Sequence, residues 1–179
     1  MVFRTMGALL LIEAVFMTLA LGVSLWYGEA DSDVFLLSTI VTLLAGILGL
    51  LIGRRAESRM GEREGYVIVA MVWVVFSTFG LLPYYLSGQV PSFTDAWFES
   101  MSGFTTTGAS ILDNIESQPH ALLLWRSLTQ WLGGLGIVFF TVAILPMFGI
   151  DKVQLFAAES TGVSHRKVHS RVSVGSRWI

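Results

Sequence analysis

Three threonines followed by a glycine, Thr105-Thr106-Thr107-Gly108, are the residues of this 179-residue chain whose types and spacing point most directly to chemistry. Threonine is β-branched and favours extended backbone, and glycine adopts backbone angles that are closed to other residues. Successive carbonyl groups of such a strand can replace the water shell of a potassium ion. The run therefore predicts coordination of a cation by backbone oxygens.

The segment before these threonines predicts a short helix. Ser92, with Asp95 three residues later, resembles a capping box, which starts a helix. Apolar residues then recur with helical spacing, and Ser102-Gly103 is expected to end the helix. About ten residues span roughly 15 Å, which is enough to enter a bilayer halfway but not to cross it. The apolar face consists of Ala96, Trp97, Phe98 and Met101.

The composition excludes an ordinary water-soluble protein, because 54% of the residues are hydrophobic and 13% are charged, against about 25% charged residues in soluble domains. A net charge of -2 argues against nucleic acid as a partner, and the absence of cysteine excludes thiolate chemistry. Four apolar stretches are long enough to cross about 30 Å of hydrocarbon. They cover residues 7–27, 34–52, 66–86 and 121–145. A cleaved signal peptide is a rival interpretation of the first stretch, which is longer than the usual apolar core of about 7 to 15 residues.

The threonine run lies between the third and fourth stretches. Extended backbone at membrane depth is tolerated only where it is buried in protein or lines a water-filled cavity. The short helix would aim its C-terminal end, with about half a negative charge, at the middle of the membrane. Both points favour a cation site. The competing interpretation is a tight turn above the membrane, with Trp97 and Phe98 at the interface.

The distribution of charge predicts the orientation. Ten of the eleven Lys and Arg residues fall on one side of the four stretches, and the opposite loops hold seven acidic residues and no Lys or Arg. Both termini are therefore expected in the cytoplasm. Glu13 and Arg126 lie inside the first and fourth stretches near their ends, so we expect them to snorkel to the interface.

Several runs of the sequence resemble the first pore repeat of the TrkH/KtrB potassium-transporter family. They are FESMSGFTTTGA at 98–109, LWRSLTQWLGGLGI at 124–137, VAILP at 142–146, QLF at 154–156 and AE at 158–159. Two additional N-terminal helices, within residues 7–52, make the chain similar to the TrkH branch in particular.

This resemblance implies an all-α integral membrane protein with four transmembrane helices. A re-entrant pore half-helix and an extended filter strand are expected between the third and fourth helices. The implied potassium ligands are the carbonyl groups of Thr106 and Thr107, adjoined by Thr105 and Gly108. Gly103 and Glu99 are expected to support this filter.

The resemblance also implies a function. It is potassium uptake across the bacterial or archaeal inner membrane, as the translocating subunit of a Trk/Ktr-type system rather than as an enzyme. The implied partners are potassium, membrane lipid, a second copy of the full-length protein and a cytosolic RCK/KTN-type nucleotide-binding regulatory subunit. No organic cofactor is expected.

We expect three parts along the chain. Residues 1–64 hold the two N-terminal helices and a cytoplasmic loop, residues 65–146 form the pore repeat, and residues 147–179 form a cytoplasmic tail that resembles a linker cut short. The family continues with three more repeats. Because one filter strand cannot surround an ion, either the chain is an N-terminal fragment or several copies must assemble, and the tail favours a fragment.

Two alternatives to transport remain open. An intramembrane enzyme would use Ser102 as nucleophile and His120 or Glu99 as base, although the sequence has no nucleophile-elbow motif. A small membrane anchor or assembly partner would need no such site. The GGLG run at 133–136 is expected to allow close helix packing rather than to bind a nucleotide.

Overall fold

The computed structural model describes residues 2–55 and 62–144, and the regular elements of this part are all helical. A single 3-10 turn, Gly53–Arg55, follows the second α-helix. The six α-helices are α1 (Val2–Tyr27), α2 (Ser32–Ile52), α3 (Glu62–Gly80), α4 (Leu82–Leu86), α5 (Phe93–Phe104) and α6 (His120–Ile144). The all-helical fold class is therefore confirmed.

Three helical segments of the described residues are long and apolar enough to cross a membrane: Val2–Tyr27, Ser32–Ile52 and Val67–Leu86. They correspond to the first three predicted spans. The fourth predicted span matches α6, which has 25 residues. Its first half carries Arg126, Ser127 and Gln130, whose polarity lowers its hydropathy, and its crossing of the membrane stays a prediction.

Helices α1 and α2 pack closely through small residues. A Cβ atom added to Gly7 would lie 2.6 Å from the carbonyl oxygen of Gly46 and 2.6 Å from the amide nitrogen of Leu50. One added to Gly49 would lie 2.9 Å from the Cα of Gly7. A larger side chain at these positions would overlap the facing backbone, so small residues allow the close approach of the two helices.

Helix α1 begins at Val2, five residues before the predicted start of the first span. Glu13 therefore lies near the middle of α1, and it is fully buried. The prediction that it snorkels from a position near the end of the span is wrong. The additional first turn of α1 contains the polar residues Arg4 and Thr5.

The third span is interrupted at Leu81, between α3 and α4, and Pro83 lies at the start of α4. Proline lacks an amide N–H and therefore favours an interruption of the helix at this point. The Nε1 atom of Trp125 donates a 3.0 Å hydrogen bond to the carbonyl oxygen of Gly80, the last residue of α3. Trp125 belongs to a core formed with Tyr84 and Phe104 between α4, α5 and α6.

The chain divides into two compact units, residues 1–140 and 141–179. The first contains α1 to α5 and most of α6. Of the second, the structure describes only residues 141–144, the last turn of α6. The motifs at 154–156 and 158–159 and the predicted tail at 147–179 lie outside the described residues, and the predicted division at residue 64 remains untested.

Candidate functional site

Helix α5 is the short helix predicted ahead of the threonine run. The Ser92 hydroxyl caps it by accepting a 3.5 Å hydrogen bond from the amide of Asp95. The helix runs to Phe104, so the prediction that Ser102-Gly103 ends it is wrong. A Cβ atom on Gly103 would overlap the hydroxyl of Thr129, which shows that this glycine lets α5 approach α6.

The amide groups after α5 fold back onto its last turn. The carbonyl oxygen of Met101 accepts a bond from the Thr105 amide (2.9 Å), and that of Gly103 accepts one from Thr106 (2.9 Å). The carbonyl of Ser102 accepts from Thr107 at 3.0 Å and from Gly108 at 3.3 Å. The last turn of a helix normally leaves carbonyl groups unpaired, and here the four amides of residues 105–108 pair with three of them, those of Met101, Ser102 and Gly103.

The carbonyl groups of the same residues are left without such partners. Within the part of the chain that the structure describes, the carbonyl oxygens of residues 104–108 accept no hydrogen bond. By contrast, the carbonyl of Ala109 accepts a 2.5 Å bond from the Ser102 hydroxyl. Thr106, Thr107 and Gly108 are exposed. The amides therefore point back to α5, and a row of unpaired carbonyl oxygens remains.

Two residues of this segment have left-handed backbone. Gly108 has φ +74°, as its predicted conformational role requires, and Thr106 has φ +58°. A β-branched residue pays a steric penalty of about 1–2 kcal/mol for such angles. Strained backbone of this kind concentrates at functional sites.

Glu99 joins α5 to the segment that follows the threonine run and Gly108. Its side chain is buried, with the residue 2% exposed. The Ser110 hydroxyl donates to the carboxylate, 3.0 Å from each oxygen, and the Ile111 amide donates to Oε2 at 3.1 Å. The carboxylate thus fixes the chain immediately beyond residues 105–109.

Arg126, on α6, donates from Nε to Oε1 of Glu99 at 2.9 Å. Its side chain is 22% exposed, and the expectation that it reaches the membrane interface stays a prediction. A carboxylate as deeply buried as that of Glu99 needs a counter-charge, and Arg126 supplies it. The partners are 27 residues apart, and no local spacing rule connects them.

The close-packing role predicted for the GGLG run is confirmed at Gly133. A Cβ atom there would overlap the carbonyl oxygen of Phe104, the last residue of α5. One on Gly134 would first meet Cγ2 of Thr106, at 4.0 Å. Helix α6 therefore supports the end of α5 and the first residues of the threonine run.

The start of α6 is capped by a distant carboxylate that the sequence analysis counted only as one acidic residue of an outer loop. Glu29, after α1, accepts bonds from the amides of His120 (2.6 Å) and Ala121 (3.1 Å) and contacts Nδ1 of His120 at 2.8 Å. The His120 ring also stacks on Tyr27, with the ring centroids 4.1 Å apart.

The pKa of Glu29 reflects this cap. Partial burial by itself raises the pKa of its carboxyl, but the bonds from the Ala121 and His120 amides and from the His120 ring outweigh burial and lower the pKa below its ordinary value. Bonds to the ionised form stabilise that form. The charged carboxylate also interacts favourably with the N-terminus of α6.

The residues of the enzyme hypothesis do not form a nucleophile and base pair. The Ser102 hydroxyl bonds to the carbonyl of Ala109. His120 bonds to Glu29, and Glu99 is engaged by Ser110, Ile111 and Arg126. Activation of a serine requires a direct hydrogen bond to its base.

Comparison with known proteins decides the family. The sequence pattern of a family described as TrkH, cation transport protein, matches residues 31–174. The chain belongs to the TrkH family. Its sequence is 37% identical to the Trk system potassium uptake protein TrkH of Salmonella typhimurium over 179 residues, which cover 98% of the chain and 37% of that relative. It is 39% identical to TrkH of Halomonas elongata over 163 residues, covering 90% of the chain and 34% of that relative.

The TrkH fold is also found by structural comparison. The crystal structure of the potassium transporter TrkH from Vibrio parahaemolyticus matches with a TM-score of 0.77 and 36% sequence identity, covering 84% of this chain and 32% of the TrkH chain. The chain thus spans about a third of the length of the relatives it matches. TrkH proteins are cation transporters, so the enzyme alternative is wrong, and three apolar helices together with the family indicate a multi-pass inner-membrane protein.

Proposed function

We propose that this chain contributes one filter strand to a potassium uptake protein, and that the backbone carbonyl oxygens of residues 105–108 are ligands of the ion. The observation that carries the proposal is the row of carbonyl groups without hydrogen-bond donors at 104–108, counted over the described residues. Thr106 and Thr107 are the central ligands, and Thr105 and Gly108 flank them. The relatives are named as potassium uptake proteins.

The conformation of the segment suits carbonyl ligation. Because the amides of residues 105–108 bond to the last turn of α5, they are unavailable to water or to a neighbouring strand. The partial negative charge at the C-terminal end of α5 adds to the attraction for a cation. The left-handed angles of Thr106 and Gly108 keep the chain from continuing as a helix, in which the carbonyl groups would accept hydrogen bonds from amides four residues later.

Two neighbouring groups position this segment. Glu99 anchors the chain just after it through Ser110 and Ile111, and Arg126 holds Glu99 in place. Gly103 allows α5 to lie against Thr129 of α6. The filter is therefore held at both ends by side chains that do not touch the ion.

The arrangement of the whole transporter follows the family resemblance. In it α5 is a re-entrant half-helix, α6 crosses the membrane, and both termini face the cytoplasm. One strand cannot enclose an ion, so further filter strands must complete the ring. The full-length protein is a homodimer that docks a cytosolic RCK/KTN-type regulatory subunit.

A matched pair of glycine substitutions in the full-length protein tests the proposal. Gly108 and Gly88 both have φ +74°; a Cβ on Gly88 meets nothing within 4 Å, and one on Gly108 meets only Nε2 of Gln130 at 3.6 Å. Valine at either position causes similar backbone strain. Gly108→Val should lower rubidium uptake per transporter at least about tenfold, which corresponds to an activation barrier higher by roughly 1.4 kcal/mol. Gly88→Val should change uptake little.

Equal uptake by the Gly108→Val and Gly88→Val proteins would remove the filter assignment. If the reconstituted full-length wild-type protein carried no cation at all, the role of a non-transporting assembly partner would replace transport.

A further inference from the structure

We propose that Glu13 and Ser100 together bind one buried water molecule beside Gly80, and that this water links α1 to the half-helix α5. The proposal deepens the proposed function, on which it rests, because α5 carries the filter strand. It gives the N-terminal helix pair a water-mediated polar contact with the helix that precedes the proposed ion ligands.

Glu13 is a buried acid without a partner. The residue is 0% exposed, and neither carboxyl oxygen has a hydrogen-bond partner among the described residues. Arg126 of α6 already forms an ion pair with Glu99 and is therefore not the partner of Glu13. Burying a carboxyl group without a hydrogen bond is costly, so the carboxyl of Glu13 requires a partner.

Ser100 presents the same problem from α5. It is 0% exposed, and its hydroxyl has no hydrogen-bond partner in the described part of the chain. A serine inside a helix often bonds to the carbonyl one turn earlier, as Thr42 does with Ser38 in α2. Ser100 does not, which leaves its hydroxyl available to a ligand.

Gly80 brings the two groups to one place. A Cβ atom on Gly80 would lie 3.1 Å from Oε1 of Glu13 and 2.7 Å from the hydroxyl oxygen of Ser100. The Glu13 and Ser100 oxygens therefore lie near the same point, although they are not hydrogen-bonded to each other. Their separation is at most about two hydrogen-bond lengths, which a single water can bridge. The same Cβ atom would lie 2.6 Å from Cε2 of Phe104, so a side chain at position 80 would displace this ring as well as the two polar groups.

The chemistry of the site favours water over a metal ion. One carboxyl and one hydroxyl give a water molecule the two or more polar partners that it needs. An alkali cation normally takes six or more oxygen ligands, as calcium does, and the carbonyl oxygen of Gly80 already accepts a bond from Trp125.

The link has a consequence for the filter. Ser100 neighbours Glu99, whose carboxylate anchors residues 110 and 111, and Phe104 of the same helix precedes the threonine run. A polar contact that fixes the depth of α5 relative to α1 therefore sets the position of the carbonyl row. Glu13 is a positioning residue in this proposal, since it does not touch the ion.

A double-mutant cycle in the full-length protein tests the link. Glu13→Leu removes the carboxyl at similar size, Ser100→Ala removes the hydroxyl, and Glu13→Gln keeps hydrogen-bonding capacity. Ser127→Ala, which removes an exposed hydroxyl on α6, is the control. The two measurements are the melting temperature in detergent and the ratio of rubidium to sodium uptake.

We expect Glu13→Leu and Ser100→Ala each to lower both quantities, and the double variant to be no worse than the more affected single variant, because either change releases the water. Glu13→Gln should restore most of the loss, and Ser127→Ala should have no effect. Additive losses from Glu13→Leu and Ser100→Ala would overturn the proposal. A direct Glu13–Ser100 hydrogen bond would also give coupling, so a high-resolution density map must show a separate peak between the two side chains.

The outcome can be separated from failure of the proposed function. The melting temperatures report the Glu13–Ser100 link even if the Gly108→Val protein retains uptake. If Glu13→Leu prevents folding, the Glu13→Gln and Ser100→Ala proteins and the density map still test the water site. Absence of the density peak would reject it.

Discussion

Glu99 receives hydrogen bonds from Ser110, Ile111 and Arg126, and so connects α5, the chain after the threonine run and α6. For an ion pair in such a buried position, removing one partner costs far more stability than removing both. Removing one partner leaves an uncompensated charge, whereas removing both leaves none. The pair therefore stabilises the site chiefly by fixing geometry.

We predict that Arg126→Leu lowers the free energy of unfolding by about 3 kcal/mol, because it leaves the buried Glu99 carboxylate without a counter-charge. Glu99→Gln should cost less, because glutamine can still accept from the Ile111 amide. In the Glu99→Gln background, Arg126→Leu should cost less than about half its effect in the wild type. Thermal unfolding of the four proteins in detergent measures this, and equal effects of Arg126→Leu in both backgrounds would contradict a role as counter-ion.

Sequence reasoning could identify the residues of the candidate site better than their contacts. The Thr-Thr-Thr-Gly run and the presence of Glu99 beside it were visible in the residue types. The left-handed angle of Thr106 was not, because threonine normally avoids it. The partner of Glu99 was not visible either, since Arg126 is brought to it only by the packing of α5 against α6.

At the scale of elements, glycines determine how closely α5 and α6 approach. Gly133→Ala should destabilise the protein by about 1–3 kcal/mol, because the new methyl group overlaps the Phe104 carbonyl oxygen. Gly134→Ala, at the next position of the same helix, gains the same helix propensity and meets only a Thr106 methyl group at 4.0 Å. Melting temperatures compare the two variants. A Gly134→Ala protein as unstable as the Gly133→Ala protein would contradict the packing assignment.

The cap of α6 by Glu29 predicts a pH dependence. The folded state lowers the pKa of Glu29, so its contribution to stability is complete above the ordinary pKa near 4.5 and is lost as the pH falls through the lowered value. Glu29→Gln should therefore lower the melting temperature at pH 7, and the difference from the wild type should shrink as the pH approaches 3.

Asp31 has the opposite effect on the pH dependence of stability, because burial, and then the charge of Glu29, raise its pKa. Comparing the Glu29→Gln and wild-type proteins at each pH removes most of this contribution. Glu116→Gln, at an exposed acid of the loop before α6, is the control and should show no such trend. A difference between the Glu29→Gln and wild-type proteins that stays constant from pH 7 to pH 3 would argue against the cap.

The helices themselves could be predicted well, and their ends less well. Hydrophobic length located α1, α2 and α3, and the Ser92 cap located the start of α5. The C-terminal end of α5 and the start of α1 were missed, the former because Ser102-Gly103 looks like a helix end in sequence. In the folded chain Gly103 is instead a packing contact with Thr129, which depends on a helix that lies later in the chain.

At the scale of the whole molecule, the sequence motifs were enough to indicate the family, and the comparisons confirm it. The chain covers about a third of its relatives, and we have proposed one filter strand in it, at residues 105–108. The pore as a whole therefore depends on more than the residues that the structure describes. This is also why selectivity and regulation could not be derived from the chain alone.

The most direct measurement is the position of a bound permeant ion in the full-length protein. Thallium(I) substitutes for potassium and scatters X-rays strongly, so crystals soaked in it should show an anomalous peak at coordination distance from the carbonyl oxygens of Thr106 and Thr107. The peak should weaken in the Gly108→Val protein and persist in the Gly88→Val protein. A thallium peak elsewhere in the membrane region, with none at residues 105–108, would contradict the filter assignment.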